Sequence, residues 1–239
     1  MAKLIGEDAI RESDASSCTQ WSQWQLIDSI LPTGDFTHSF GLEAAVQTRL
    51  VSSSTDLETH IIHVLGNTAS LLLPFVYSSL KSPDTETWRR LDLVLDAALT
   101  NKVSSKASIS QGSALFCIAA SAFTEIPSLK MIRDTSLGSK ELGFHHVPIF
   151  GLVCGLLGMD AETSQRAYLF VTLREDVSAA LSLNLVGPMG ASVMQHRLTV
   201  VAETVFEKWK DRDAGETCQT SALLDVVQGC NEKNSTYIM

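Results

Sequence analysis

Six histidines are the side chains best suited to proton or metal chemistry near neutral pH. His60 and His63 stand three apart, so on a helix both rings face one side. Neutral imidazoles at that spacing can ligate a transition metal. No cysteine or carboxylate completes a set with them, although Asp56 and Glu58 lie close by, so two ordinary, partly buried histidines are expected. His145 and His146 are adjacent, follow Gly143 and precede Pro148, which reads as the entry to a helix. His196 falls in mid-helix, as a packing or surface residue. Asp92 and Asp96 are one helical turn apart, but Trp88 and Leu95 flank them and no second acidic cluster answers, so a solvated helix face is expected. Cys117 and Cys154 sit in apolar stretches and read as small buried hydrophobes. With Cys18, Cys218 and Cys230 they make five, an odd number without a CxxC pair, which argues against a disulfide framework and for a reducing compartment.

Other chemistries are missing from the sequence. There is no GxxxxGK[ST] loop to cradle a triphosphate, no GxSxG elbow and no HExxH pair. The chain should therefore not hydrolyse GTP alone. Its 18 basic residues against 27 acidic ones leave a net charge of −9, the wrong sign for a nucleic-acid binder. Hydrophobic residues make up 45% of 239, which excludes wholesale disorder. Only 14 Gly, 6 Pro and 7% aromatics argue against a strand-rich fold. The longest apolar run, Val147 to Met159, is too short for a bilayer, which needs about 20 residues. It reads as a buried core helix. The N-terminus is mixed in charge and resembles neither a signal nor a transit peptide. A cytoplasmic location is expected.

The elements that must position these side chains are helical throughout. Trp21, Trp24, Leu26, Ile27, Ile30 and Leu31 have helical spacing behind Thr19, and Pro32-Thr33-Gly34-Asp35 stops that helix. A second helix is predicted over 37–50. A third, capped by Thr55, buries Leu57, Ile61, Val64, Leu65 and Leu72 until Pro74 kinks it. Ser82-Pro83-Asp84 should open a helix carrying Trp88, Leu91, Val94, Leu95 and Ala98. A Ser/Ala-rich helix follows over 103–123, then a connection over 124–143 with at most one helical turn. Three further helices are predicted: 147–157; 161–185, capped by Asp160; and 191–210, after Gly187-Pro188-Met189-Gly190. A charged loop over 211–216 and a last short helix around Leu224 end the pattern. No run alternates as a strand would. The fold class is all-α, a single helical-bundle domain of about nine or ten helices over 19–230. A flexible polar leader precedes it over 1–18 and a C-terminal tail follows over 231–239.

One segment carries more information than the rest: Leu31-Pro-Thr-Gly-Asp-Phe-Thr-His-Ser-Phe-Gly-Leu-Glu43. Proline and glycine force a tight turn between helices. Gly41, placed inside the second helix, costs about 1 kcal/mol relative to Ala, which suggests close approach by another backbone.

This stretch resembles the hallmark of the urease accessory protein F family, matched at Leu31, Pro32, Gly34, Phe36, Ser39, Gly41, Leu42 and Glu43, with His38 also similar. The similarity continues in order through Ser110-Gln111-Gly112, His145-His146-Val147-Pro148-Ile149-Phe150-Gly151, Asn184-Leu185-Val186-Gly187-Pro188-Met189-Gly190 with Gln195-His196, and Leu224 to Gly229. The resemblance implies an all-α, usually dimeric protein that is not an enzyme. It implies a co-chaperone of nickel insertion that binds accessory protein D/H and recruits the GTPase, accessory protein G, to the urease apoprotein. No cofactor is tightly bound, and nickel is handled through the complex. The partner-binding residues implied are Pro32, Gly34, Phe36, His38, Gly41, Glu43, Gly187, Pro188 and Gly190, with no catalytic or metal-ligating residue. Ser182 stands where the family usually has an arginine, and Asn231 to Met239 stand in place of a tail ending Ser-Arg-Leu-Phe. Weakened binding to the D/H partner is expected from that. The alternatives are a helical nickel carrier, or a small helical enzyme with a pocket lined by His60, His63 and His145.

Overall fold

A computed structural model describes residues 20–28, 41–139, 141–221, 224, 226 and 227. Among these the chain is helical, with no strand. Helix α1 spans 20–27. It is followed by α2 (Leu42–Gln47), α3 (Ser54–Leu71), α4 (Leu73–Lys81), α5 (Thr85–Ala98) and α6 (Lys102–Ala122). Then come α7 (Pro127–Ser136), α8 (His146–Leu156), α9 (Ala161–Ser182), α10 (Pro188–Trp209) and a 3₁₀ turn at Ala214–Glu216. The leader, the turn at 29–40 and the tail lie outside the described residues.

The starts of these helices are set by side chains that satisfy the free N–H groups of a first turn. Ser53, not Thr55, caps α3, in a reciprocal box with Asp56. Asp84 caps α5, so Pro83 lies just outside it rather than at its first position. Asn101 caps α6 and Asp160 caps α9, while Pro127 and Pro188 open α7 and α10. The connection expected over 124–143 holds a ten-residue helix, α7, whose Leu129 and Ile132 are buried. Leu72 separates α3 from α4 just ahead of Pro74. Together α3 and α4 are long and apolar enough to cross a membrane, yet 56% of that stretch is buried inside the protein, as in a core helix.

Two helices are enclosed on nearly every side. Every residue of α8 from Val147 to Cys154 is buried. Its glycines let α4 come close: a Cβ on Gly151 would lie 2.5 Å from the Val76 carbonyl oxygen, and one on Gly155 would lie 2.9 Å from that of Leu80. Helix α9 packs against α2, α3, α4 and α10. Its buried residues, including Ala167, Leu173, Val177 and Ala180, surround it rather than forming one stripe. Around Trp88 the rings of Phe116 and Phe144 close the core at 5.4 and 5.5 Å. After α10 the chain turns back along α3 and α4. The Cys218 N–H donates to the Ser70 carbonyl (3.0 Å), and the Thr217 hydroxyl to that of Leu71 (2.6 Å).

Some surface assignments differ from expectation. Trp21 and Trp24 are 67% and 50% exposed and meet edge to face, while Leu26 carries the buried side of α1. Val94 and Cys117 are exposed as well. Cys154 is buried, and burial pushes its thiol up to about 12, so it is inert.

Candidate functional site

Asp92 organises the region where the sequence motifs meet. It is fully buried, not on a solvated face. One carboxylate oxygen accepts the N–H groups of Gly143 (2.8 Å) and Phe144 (3.2 Å), and the other accepts that of His145 (2.7 Å). This fixes the loop entering α8, in which Phe144 takes a positive φ of 63°. From the other side α6 presses on the same loop. A Cβ on Gly112 would lie 2.1 Å from the Phe144 carbonyl oxygen and 2.5 Å from the His146 nitrogen, so only glycine fits. The small-residue motif at 110–112 is thus explained by contact.

His145, the N-cap of α8, is wholly buried between two partners. Its Nδ1 lies 3.1 Å from Ser108 Oγ and its Nε2 lies 3.2 Å from Asp96 Oδ1. An ionised Asp96 only accepts, so the ring proton sits on Nε2 and the Ser108 hydroxyl donates to Nδ1. Ser108 Oγ in turn accepts the His146 N–H (3.2 Å). The adjacent histidines do form a helix entry, and the first of them locks it.

With that entry fixed, the His146 ring stands between Phe150 (6.0 Å) and Tyr168 (5.8 Å). Burial lowers its pKa to about 4, so the ring is neutral at physiological pH. Tyr168 is buried, and burial, then the nearby Glu175 charge, pushes its phenol up. These side chains face a cleft of about 130 Å³ between α3, α6, α8 and α9. Gln111, Thr68 and Glu175 line it too, with Gly41 and Leu224 at its margins. The rest of the wall is mostly aliphatic. Apolar walls with a few converging polar groups are the general form of a binding site.

The partner-binding residues expected from sequence divide into three groups. Pro32, Gly34, Phe36 and His38 lie outside the described residues. Gly41 borders the cleft, but it is the N-cap of α2 at φ 84°, not a residue inside a helix. The left-handed backbone, rather than close approach, explains its glycine. Glu43, two residues on, is exposed. Gly187, Pro188 and Gly190 form the exposed start of α10, away from the cleft lining. Met189 among them is 80% exposed, a feature the sequence signalled only through its place between Pro188 and Gly190.

The pocket proposed for a helical enzyme does not form: none of His60, His63 and His145 lines the cleft. His60 is buried with Nε2 unpartnered, and burial, then the charge of His63, lowers its pKa to about 4. Among the described residues no three His, Cys, Asp or Glu side chains gather as metal ligands.

Comparison with known proteins gives a consistent answer. The UreF family profile matches residues 51–199. Urease accessory protein F of Arabidopsis thaliana is 79% identical over 219 residues, covering 92% of this chain and 91% of the relative. Urease accessory protein F of Oryza sativa subsp. indica is 59% identical over 92% of this chain and 85% of its own length. The similarity reaches bacteria: Urease accessory protein UreF of Trichodesmium erythraeum is 26% identical over 87% of this chain and 91% of its own.

Proposed function

The chain belongs to the urease accessory protein F family, and from that premise we propose that it assembles with accessory protein G, a GTPase, and accessory protein D/H to deliver nickel to the urease apoprotein. It is an accessory protein of urease maturation rather than an enzyme, and it acts with other urease accessory proteins. The observation that carries the proposal is the 79% identity with the Arabidopsis protein over 92% of this chain. Nickel in this reading is the cargo of the assembly and is not tightly held by this chain alone. The protein works in the cytoplasm as a homodimer.

Surface features support an assembly role. Glu43 and Met189 are exposed on elements whose buried sides are well packed. Co-purification with the GTPase and the D/H protein tests the proposal directly. A stable ternary complex is expected. Glu43→Ala combined with Met189→Asp should weaken it while shifting stability by no more than about ±0.5 kcal/mol per surface site. Failure to co-purify with either protein would overturn the proposal, as would GTP turnover by the chain alone.

A further inference from the structure

The cleft beside His146 has a polarity that the assembly role does not use. Its lining includes no lysine or arginine, and its one charged side chain is Glu175. The Tyr168 hydroxyl, the His146 ring nitrogens and the Gln111 amide make no hydrogen bond to a described residue, although all three side chains face this space. Unsatisfied polar groups of this kind are costly and are found where a ligand completes them. The Glu175 charge reaches the buried Tyr168, so the local potential is negative. Around these groups the walls are aliphatic, with Val64, Leu72, Val103 and Val171 among them.

We propose that this cleft binds a singly charged cation on a short apolar stem, a guanidinium or ammonium group, with the stem against the aliphatic wall and the head between Glu175, Tyr168, Gln111 and His146. The neutral imidazole of His146 offers a lone pair as acceptor, as do the Gln111 carbonyl and the Tyr168 oxygen. An anion would meet Glu175 with no compensating cation. A space of about 130 Å³ accommodates on the order of ten water-sized groups, enough for a guanidinium with a three- or four-carbon stem. The same chemistry occurs in a free small amine and in the side chain of an arginine or lysine presented by a protein.

Calorimetric titration of the full chain separates these sources and does not depend on urease activation, so it can fail independently of the proposed function. The probes are n-butylguanidinium, a short peptide with one central arginine among leucines and glycines, and n-pentanoate as the anionic control. Saturable binding of n-butylguanidinium indicates a free-ligand site, and binding of the peptide alone indicates a protein side chain. Glu175→Gln should weaken either by about tenfold or more, and Tyr168→Phe by less. Melting curves of both variants, together with an unshifted His146 ring resonance in the unliganded state, show that the cleft is intact. No saturable binding of either cation would overturn the proposal. So would equal binding of n-pentanoate, or unchanged affinity in a folded Glu175→Gln variant.

Discussion

Asp92 and Gly112 hold the loop at 143–146 from opposite sides, one by accepting three N–H groups and the other by having no side chain. Gly112→Ala should therefore destabilise the protein by about 1–3 kcal/mol or more, because the added Cβ meets backbone that cannot rotate away. Gly66, in the interior of α3, has nothing within 4 Å of a built Cβ. Gly66→Ala should stabilise by up to about 1 kcal/mol through helix propensity and a less flexible unfolded chain. Urea denaturation of the two variants checks both signs, and equal effects would show that the close approach at Gly112 is unimportant. The sequence marked Gly112 as a motif position without giving its reason. Asp92 was misread because two acidic residues one turn apart look solvated. Only the fold brings the loop at 143–145 onto Asp92, some fifty residues away in sequence.

Helix α9 shows how far element-level reading goes. Asp160 and Pro188 bracket the α9–α10 pair as expected, since caps and N-terminal prolines act locally. The expected single buried face did not hold: Phe170 and Leu181 are exposed, and burial surrounds the helix. Periodicity reports an amphipathic helix, and a helix packed on several sides has little periodicity to report. Helix α7 was missed because Pro127 and Gly138 read as loop punctuation, yet Pro127 opens the helix. Buried within α9, both carboxyl oxygens of Asp176 lack a partner. Burial, then the charge of Glu175, raises its pKa well above 3.8, so the folded state holds the neutral acid. The unfolded chain loses that proton first, so stability falls as pH rises above about 4 toward the folded pKa, with a slope of up to about 1.4 kcal/mol per pH unit from this group. Asp176→Asn should remove that downward slope, read from urea melts between pH 5 and pH 8. Parallel pH profiles for the two proteins would mean that Asp176 ionises without cost.

At the scale of the whole molecule, ordered motifs spread from the turn at 31–43 to the α9–α10 corner converge only in part. Gly41 borders the cleft, while Gly187, Pro188 and Gly190 start an exposed helix elsewhere. The all-α class was legible from composition and helical spacing, and the family from the order of short motifs. The cleft was not legible, because its walls come from four helices distant in sequence. The central claim is that this chain matures urease by acting in nickel delivery. The most direct measurement is the nickel content and activity of urease produced in cells that lack their own accessory protein F, with and without this chain. The account predicts apo-urease with little activity in its absence, and nickel-loaded, active urease when it is supplied together with accessory proteins G and D/H. Urease that is equally loaded and active without it, or that stays nickel-free when all three proteins are present, would contradict the account.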